Sequence, residues 1–304
     1  MKKITRYLVH PTLLIVKLSQ LGVLPLSDSV FLRLQFKQVM GYKLNLDNPK
    51  TFNEKLQWLK IWDRDPKYIE LVDKSLVKNF IKEAIGRKYV IDTYGVYDDF
   101  DDIDFDSLPE KFVVKTTHYG GGNGIFIVTD KGDMNTDFIR KQIKKILKKK
   151  LFRYSREWPY KGVSPRIIIE RYIEDPAGDL RDYKFFVFSG KAKYIQVDFD
   201  RFTQHKRNFY SINWERQPFT IGEYPTNSQA VQRPKNLTKM IDLAEKISAS
   251  AGSPAFLRVD MYSVGNKILF GETTFYQGAG LEKVTPTSWD KKLGDLIALP
   301  EKRK

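Results

Sequence analysis

Residues 111–130 have the sequence KFVVKTTHYGGGNGIFIVTD, in which two strand-like runs flank a turn rich in glycine. The runs at 112–117 and 124–129 contain many β-branched and aromatic residues, so we expect a β-hairpin with a flexible tip. Glycines let backbone N–H groups approach an anion closely, and Lys115 adds a positive charge beside them. The segment is therefore either a loop that lies over phosphate groups or an ordinary mobile hairpin.

The composition indicates a folded protein with an anionic partner. The 304 residues are 41% apolar and 13% aromatic, enough for one large domain or for two or three small ones. A net charge of +15 favours a nucleotide, a nucleic acid, an acidic glycan or a membrane surface as partner. The absence of cysteine excludes disulfides and thiolate catalysis and fits the cytoplasm. The three histidines, His10, His118 and His205, are too scattered to indicate a zinc site.

The N-terminal segment begins like a signal peptide but lacks the other features of one. Its apolar run is interrupted by Lys17 and is too short to span a bilayer, and no small-residue cleavage site follows. We therefore expect neither export nor a membrane span. Leu14, Leu18 and Leu21 fall on one helical face, which predicts a helix that docks against the rest of the protein. Peripheral contact with the inner face of the membrane is the alternative.

Two helices are predicted between the N-terminal segment and the hairpin. The first runs from about 52 to 62, with Thr51 as its cap and Glu54 at the capping-box spacing. The second starts after Pro66 and stops near Gly86, with Lys74 and Lys78 on one solvated face. Its buried face is predicted to carry Ile69, Val72, Leu76 and Phe80.

Residues 137–153 (DFIRKQIKKILKKKLFR) predict an amphipathic basic helix. Its apolar face carries Ile139, Ile143, Ile146 and Leu147, and lysines cover the other face. The lysine face is either simply solvated or contacts an acidic substrate, a membrane or a nucleic acid. No nucleic-acid motif accompanies the charge, so nucleic acid is not expected as the partner. The acidic run at 98–106 is expected to be a solvated connection.

Two later segments predict strands that carry charged residues. The apolar run 166–173 (RIIIERYI) is typical of a buried strand, and Glu170 within it requires a partner, either a structural ion pair or a ligand. Residues 180–201 predict a hairpin with Lys184 and Arg201 near its two far ends, where the two cations can converge. A helix is predicted to follow at about 236–251.

Residues 256–275 (FLRVDMYSVGNKILFGETTF) predict a hairpin that brings two carboxylates together. Pairing about its Gly-Asn turn sets Asp260 opposite Glu272 and Arg258 opposite Thr274, and strand alternation places all four on one face. Two facing carboxylates cost stability unless a cation such as Mg²⁺ lies between them and bridges to nucleotide phosphates. The alternatives are a shifted register or charges paired with lysines, and we favour the metal site.

Taken in order, these segments resemble a known family. The motifs are NPKTFNEKLQWLK, the VDK of 72–74, LPEKFVVKTTHYGGGN, DYKFFVFSGK and RVDMY…GETTF…GAGL. They resemble the ATP-grasp superfamily, and within it the teichuronopeptide-biosynthesis (TupA-like) branch of bacterial polysaccharide biosynthesis proteins, over roughly residues 27–290. The resemblance implies an α+β ATP-grasp fold, in which two lobes with antiparallel sheets enclose ATP, plus a helical N-terminal region. It divides the chain into a docking segment (1–50), a helical region (51–110), a small lobe with the glycine-rich hairpin (111–170) and a large lobe with the magnesium site (171–304).

The resemblance also implies roles for individual residues. The two lysines that hold the ATP phosphates correspond to Lys78 and Lys115. The loop that closes over the phosphates corresponds to His118, Gly120, Gly121, Gly122 and Gly124. The hinge that binds adenine, largely through backbone groups, corresponds to Glu170, Arg171 and Tyr172. The catalytic cations that contact the γ-phosphate or an acyl phosphate correspond to Lys184, Arg201 and Arg258. The magnesium ligands correspond to Asp260, Glu272 and Thr274, although many ATP-grasp enzymes have Asn at the last position.

The implied activity is that of an ATP- and Mg²⁺-dependent carboxylate-amine ligase. Such an enzyme forms an acyl phosphate on an acidic sugar or amino acid and transfers it to an amine or amino acid. The branch implies a cytoplasmic role in bacterial capsule, exopolysaccharide or teichuronopeptide biosynthesis, with an anionic glycan or uronic acid as substrate. Two alternatives remain: a glycosyltransferase that uses a nucleotide sugar, and an ATP-dependent sugar phosphotransferase or nonenzymatic ATP-binding module.

Overall fold

The computed structural model describes residues 11–120, 124–175, 180–199, 204–229 and 231–302. Within these ranges lie nine α-helices and eleven β-strands. The helices are α1 (Pro11–Leu21), α2 (Asp28–Met40), α3 (Phe52–Trp62), α4 (Lys67–Val72), α5 (Val77–Ala84), α6 (Thr136–Leu147), α7 (Phe152–Ser155), α8 (Leu237–Ser250) and α9 (Ser288–Asp295). The strands are β1 (Thr93–Tyr97), β2 (Phe112–Thr116), β3 (Ile125–Val128), β4 (Ile167–Arg171), β5 (Asp182–Phe188), β6 (Lys191–Phe199), β7 (Lys206–Ser211), β8 (Thr220–Ile221), β9 (Leu257–Val264), β10 (Lys267–Thr274) and β11 (Val284–Thr285).

Strands β1, β4, β2 and β3 lie side by side in this order and form an antiparallel sheet, here called the small sheet. Alternate side chains of each strand point to opposite faces. One face packs against α6 in a separate core that includes Val114, Ile143 and Ile169. The other face carries Lys115 and Glu170, so strand alternation directs these two charged groups away from that core.

Strands β10, β9, β5, β6 and β7 form an antiparallel sheet in this order, here called the large sheet. Its strands β5, β6 and β9 pack against α8 within the main hydrophobic core. One face carries a group of ionisable side chains: Asp182, Lys184, Asp198, Arg258, Asp260 and Glu272. At one end of this face, Phe52 of α3 packs against Phe186 and Phe256. The helix therefore covers the aromatic end of the face, and the ionisable groups form the other end.

The elements with a strong local signal form where the sequence predicts them. Helix α3 has the predicted bounds and a complete capping box, in which the Glu54 backbone N–H donates to Thr51 Oγ1 at 3.2 Å and the Thr51 N–H donates to the Glu54 carboxylate at 3.2 Å. The glycine-rich hairpin forms from β2 and β3. The predicted pairing of Glu272 with Asp260 in β9 and β10 is confirmed, and a β-bulge between Phe270 and Glu272 shifts the register to produce it.

The prediction of one helix between Pro66 and Gly86 is wrong, because the chain breaks into α4 and α5. The Asp73 carboxylate accepts hydrogen bonds from the backbone N–H groups of Ser75 (2.8 Å) and Leu76 (3.1 Å). An aspartate that binds the backbone in this way favours a turn over a continued helix. Leu76, predicted to be buried, is 42% exposed as a result.

The basic helix is shorter than predicted, and its charges are partly neutralised. It ends at Leu147, and Ile139, Ile143 and Ile146 are buried as predicted. Lys144 Nζ lies 2.6 Å from Asp101 Oδ2 and 3.2 Å from Asp99 Oδ1, and Arg140 also pairs with Asp101. The acidic run is therefore an ion-pair partner of the basic helix and not merely a solvated connection.

The N-terminal helix docks against the protein, but not through the predicted face. Leu14 and Leu21 are 42% and 53% exposed, whereas Val16 and Ser19 are buried. Arg156 donates from Nη2 to Ser19 Oγ at 2.9 Å. Across the described residues, none of the helices combines the length and apolar character needed to cross a membrane.

Candidate functional site

The small-sheet half of the site is a carboxylate held between two lysines. Lys115 of β2 places Nζ 2.5 Å from Glu170 Oε2, and Lys78 of α5 pairs with the other oxygen, Oε1. Lys78 Nζ also donates to the backbone oxygen of Ile91 at 2.8 Å. Burial raises the pKa of the Glu170 carboxyl, but the charges of Lys115 and Lys78 outweigh burial and lower this pKa to about 2. The carboxylate is therefore charged and holds both ammonium groups at one point of the sheet face.

Lys74 lies between the two halves of the site, in the turn that separates α4 from α5. Its backbone N–H donates to the Thr117 oxygen at 3.2 Å, and its Nζ donates to the Tyr119 oxygen at 2.8 Å. Burial lowers the pKa of Lys74, and the nearby charge of Glu272 raises it. The sequence predicted a solvated lysine because it predicted a continuous helix. The turn at Asp73 instead directs Lys74 toward the glycine-rich hairpin.

The large-sheet half of the site is centred on Arg258. Its guanidinium donates to both Asp260 oxygens at 2.6 Å, to Glu272 Oε1 at 2.9 Å and to Gln277 Oε1 at 2.7 Å. Burial lowers the pKa of Arg258, but Asp260 and Glu272 raise it by more, so the group stays charged. Thr274 lies opposite Arg258 in the ladder, as predicted. The facing carboxylates thus share one arginine, and their role as magnesium ligands stays a prediction.

Lys184 of β5 joins the carboxylates of three neighbouring strands. Its Nζ lies 2.7 Å from Asp260 Oδ2 and 3.9 Å from Asp198 Oδ2, and it also pairs with Asp182. Burial lowers the pKa of Lys184, but Asp182 and Asp260 raise it by more. Its predicted partner Arg201 lies outside the described residues, so their convergence stays a prediction.

Asp198 anchors a second group of side chains that the sequence analysis did not single out. Arg207 Nε donates to Asp198 Oδ1 at 2.8 Å, and His205 Nε2 lies 3.2 Å from the same oxygen. The Arg207 guanidinium stacks 4.0 Å from the centre of the Tyr224 ring. Burial raises the pKa of Asp198, but Arg207 and Lys184 lower it to about 2. Strand alternation in the 180–201 hairpin could have indicated this group, because Asp198 lies opposite Asp182 in the hairpin.

A turn directly after β10 supports the arginine. Gly278, Ala279 and Gly280 all have left-handed backbones, with φ of 51°, 54° and 60°. Gln57 of α3 donates to the oxygens of Ala279 (3.0 Å) and Gly280 (2.7 Å), and Lys60 Nζ donates to the Ala279 oxygen at 2.8 Å. Glycine adopts this region freely, but a residue with a Cβ, here Ala279, is held there at a cost of about 1–3 kcal/mol and persists only where surrounding contacts enforce it. Helix α3 therefore holds the turn that carries the Gln277 partner of Arg258.

Lys60 is fully buried and has an unusual pKa. Its Nζ donates to the oxygens of Ser155 at 2.7 Å and Ala279 at 2.8 Å, and to Gln57 Oε1 at 3.0 Å. Burial lowers the pKa of Lys60 to about 8, while the Glu157 charge opposes that change. Nothing in the amphipathic pattern of α3 indicated a buried lysine, because the acceptor at Ala279 lies more than 200 residues away.

The remaining predicted nucleotide residues are only partly placed. Gly121 and Gly122 lie outside the described residues, and Gly120 and Gly124 flank them. Gly124 has a φ of +82°, and a Cβ there would lie 2.8 Å from Thr116 Oγ1, so this position requires glycine. His118 is buried with Nε2 3.2 Å from the Lys149 oxygen, and burial lowers its pKa.

The side chains of the predicted hinge residues point in different directions. Arg171 is exposed on the face of β4 opposite to Glu170 and places Nε 3.4 Å from Asp92 Oδ2. Tyr172 directly after β4 is half-buried. The Glu170 side chain pairs with two lysines, so only backbone groups of this segment are left for the predicted contact with adenine.

The carboxylates of the large sheet are the candidate magnesium ligands. Among the described residues, no group of three or more His, Cys, Asp or Glu side chains is arranged to hold a metal ion. Asp260 and Glu272 nevertheless supply two carboxylates on one face, and the Glu272 side chain is 39% exposed. Mg²⁺ is commonly bound through one or two protein carboxylates, with water and substrate phosphates as the other ligands. The donor set therefore fits a magnesium ion that arrives with a nucleotide.

Solved structures of ATP-dependent and related enzymes show distant similarity to this chain. D-alanine–D-alanine ligase from Bacillus anthracis matches with 19% identity over 75% of this chain and 66% of that enzyme, with a TM-score of 0.44. The enzyme of the same name from Helicobacter pylori matches with 12% identity over 83% of this chain and 68% of its own, with a TM-score of 0.48. The chain thus spans less than two thirds of the length of the Bacillus enzyme. At these identities and TM-scores, neither enzyme informs the substrate of this chain.

Family comparison gives a more extensive match. No curated protein sequence matches the chain. A family model described as TupA-like ATP-grasp matches residues 54–298. This range begins in α3, contains both sheets and ends after α9. The two antiparallel sheets with their covering helices are the α+β architecture that the resemblance implied. The chain belongs to the TupA-like ATP-grasp family.

Proposed function

We propose that the protein is an ATP- and Mg²⁺-dependent ligase that joins a carboxylate to an amine through an acyl phosphate. The observation that carries this proposal is the pair of charged faces: Glu170 holds two lysines on the small sheet, and Arg258 holds two carboxylates on the large sheet. Lys74 connects the two halves. A triphosphate with its magnesium requires such a combination of ammonium groups and carboxylates.

Each half has a separate task in nucleotide binding. Lys78 and Lys115 bind the ATP phosphates, and Glu170 orients both ammonium groups before the nucleotide arrives. Asp260 and Glu272 hold Mg²⁺, and Thr274 offers a further oxygen beside them. When bound, the ion neutralises charge on the transferring phosphoryl group. Backbone groups after Glu170 bind adenine, and the glycine-rich loop, including the adjacent His118, closes over the phosphates.

The remaining cations act on the reacting groups. A carboxylate oxygen of the substrate attacks the γ-phosphorus, the bond to the bridging oxygen breaks, and ADP leaves. The amine nitrogen then attacks the acyl carbon, loses a proton and expels phosphate. Arg258 and Lys184, with the predicted Arg201, stabilise the charge that develops on the phosphoryl and acyl oxygens. Exclusion of water by the loop protects the acyl phosphate from hydrolysis.

The resemblance and the charge of the chain support a substrate class for this proposal. An acidic sugar, such as a uronic acid in a bacterial surface glycan, or an amino acid supplies the carboxylate, and an amine or amino acid accepts it. A net charge of +15 favours an anionic substrate. The resemblance also implied a cytoplasmic protein with a peripheral membrane contact as the alternative, and both remain proposals.

One position supports a second candidate. Thr274 stands where many ATP-grasp enzymes have Asn, and a hydroxyl oxygen in place of an amide oxygen changes the geometry offered to a second metal ion. An ATP-dependent sugar phosphotransferase would then release a stable phosphorylated sugar. A glycosyltransferase would consume a nucleotide sugar instead of ATP.

Product analysis separates these activities. The protein is incubated with ATP, Mg²⁺, hydroxylamine and a panel of uronic and amino acids, and ADP and hydroxamate are measured. A ligase forms both in equal amounts, because hydroxylamine traps the acyl phosphate. ADP with a stable phosphosugar and no hydroxamate would instead assign the phosphotransferase. Consumption of a nucleotide sugar without ADP formation from ATP would assign the glycosyltransferase.

A further inference from the structure

A groove with many cations lies outside the charged faces described above. Two adjoining cavities of about 470 and 420 Å³ share Lys88, Tyr89 and Lys239 as lining residues. Their walls come from the C-terminal end of α5, the 3₁₀ turn Arg87–Tyr89, the exposed side of α8 and the β9–β10 turn. We call this continuous surface the basic groove.

The basic groove has five lysines without a carboxylate partner. Within the ranges that the structure describes, no ion pair is formed by Lys82, Lys88, Lys239, Lys246 or Lys267. They come from α5, the 3₁₀ turn, α8 and the β9–β10 turn, so four separate elements direct positive charge to one surface. Like charges at close range repel one another, and an anion bound between them removes that repulsion.

The two arginines of the groove differ from the lysines. Arg87 and Arg171 both pair with Asp92, which neutralises part of their charge. The Lys239 and Lys246 side chains lie on one side of α8, separated by two helical turns, or about 10 Å along its axis. A single small anion is too short to contact both of these lysines, whereas an extended chain with repeated negative charges can contact both.

The chemistry of the walls favours a glycan over a nucleic acid. Single-stranded nucleic acids are bound by cations together with exposed aromatic rings on which bases stack. Tyr89 is the aromatic residue of the groove, and it is only 8% exposed. The lysines therefore offer charge without a stacking surface, which suits a flexible anionic chain without aromatic groups.

The groove reaches the proposed nucleotide site. Ile91, two residues after Tyr89, accepts a hydrogen bond from Lys78 Nζ at 2.8 Å. The Arg171 N–H donates to the Asp92 oxygen at 2.9 Å, which joins the groove wall to the strand that carries Glu170. The basic groove therefore adjoins the small-sheet half of the proposed nucleotide site, where Lys78 and Glu170 lie.

We propose that the basic groove binds a polymer of carboxylated sugars and so docks the substrate chain of the ligase. The groove alone supports binding of an anionic chain, and the identity of that chain as the carboxylated substrate of the ligase rests on the proposed function. The competing surface is the basic helix α6, whose Arg140 and Lys144 are already paired with Asp101.

Matched charge reversals compare the two surfaces. The groove variant carries Lys239→Glu and Lys246→Glu, and the control carries Lys141→Glu and Lys145→Glu on α6. All four lysines are exposed, and both variants change the net charge by the same amount. Fluorescence anisotropy measures the binding of labelled polygalacturonate to the full chain at low salt, with neutral dextran, polyphosphate and an oligothymidylate as further probes.

The proposal predicts at least a tenfold loss of polygalacturonate affinity in the groove variant and at most a threefold loss in the control. Added salt weakens binding because it screens exposed charges. Equal losses in both variants, or no binding of polygalacturonate to wild type, would overturn the proposal. Tighter binding of polyphosphate or the oligothymidylate than of polygalacturonate, with the tenfold loss of affinity in the groove variant, would also overturn the proposal. Such a result would assign another ligand to the groove. Binding of a nonhydrolysable ATP analogue to both variants stays at the wild-type level, so this result is separate from the test of the nucleotide site.

Discussion

At the scale of single residues, Glu170 determines how the small-sheet lysines are placed. Lys78 and Lys115 come from different elements, and each pairs with a different oxygen of this carboxylate. Removing one partner of a buried ion pair leaves the other charges uncompensated, which typically costs about 3–5 kcal/mol. Glu170 therefore stabilises the fold and preorganises the lysines at the same time.

We expect Glu170→Gln to remove a contribution to stability that depends on pH. The folded carboxyl has a pKa of about 2, below its ordinary value of 4.5. Such a group stabilises the fold above pH 4.5, and the stabilisation is lost as the pH falls through 2. The shift corresponds to about 3 kcal/mol. Urea unfolding across this range measures it, with the exposed Glu174→Gln as control. The same pH dependence in wild type and Glu170→Gln would contradict the expectation.

We expect Arg258→Met to make the protein more responsive to Mg²⁺. The substitution leaves Asp260 and Glu272 facing each other without their shared guanidinium, so the variant has a lower melting temperature than wild type. Magnesium then offsets the repulsion and raises the melting temperature more than in wild type. Thermal unfolding with and without Mg²⁺ gives the comparison. The control is Arg171→Met, which removes an exposed arginine that pairs with Asp92 and not with the magnesium ligands. An absent magnesium response in the Arg258 variant would count against these ligands.

Some of these residues were predictable from the sequence and others were not. The pairing of Asp260 with Glu272 was predicted from a short turn, but a β-bulge between Phe270 and Glu272 produces it, because a regular ladder from the turn would place Gly271 opposite Asp260. The position of Lys74 depends on Asp73, whose side chain ends one helix and directs the chain toward the hairpin. The periodicity of apolar residues is the same for one long helix and for two short helices, so it predicted the wrong orientation of the Lys74 side chain.

At the scale of elements, α3 connects the main core to the site. Its apolar side chains pack on the large sheet, and its polar Gln57 and Lys60 hold the left-handed turn Gln277–Gly280. The capping box and amphipathic pattern were sufficient to predict the helix and its bounds. They gave no indication of the turn, because a hydrogen bond across such a sequence separation depends on the tertiary fold.

We expect Lys60→Met to loosen the turn while the rest of the protein stays folded. The substitution removes the donor to the oxygens of Ser155 and Ala279 and to Gln57 Oε1. Gln57 still donates to the Ala279 oxygen, but the turn loses one hydrogen bond and other buried acceptors lose their donor at about 1–3 kcal/mol each, so the left-handed turn opens more often. Hydrogen exchange of the backbone amides at 278–281 should accelerate at least tenfold. The control is Lys55→Met on the same helix, whose lysine donates to Ile297 instead. Equal exchange in both variants would show that Lys60 does not hold the turn.

At the scale of the whole molecule, two antiparallel sheets supply the opposite halves of one site. The hairpins and the order of motifs were enough to predict this α+β architecture. The sequence did not reveal which of the many lysines are paired, because pairing depends on elements that meet only in the fold. The acidic run near residue 100 neutralises part of α6, whereas the lysines of the basic groove keep their charge.

Calorimetric titration with a nonhydrolysable ATP analogue, with and without Mg²⁺, tests the proposed nucleotide site most directly. Wild type, Lys115→Ala and Glu272→Gln are compared. We expect Mg²⁺ to strengthen binding to wild type and both substitutions to weaken it at least tenfold. The Glu272 variant should also lose most of its response to Mg²⁺. Wild-type protein that binds no analogue, or variants that bind it as tightly as wild type, would contradict an ATP site between the two sheets.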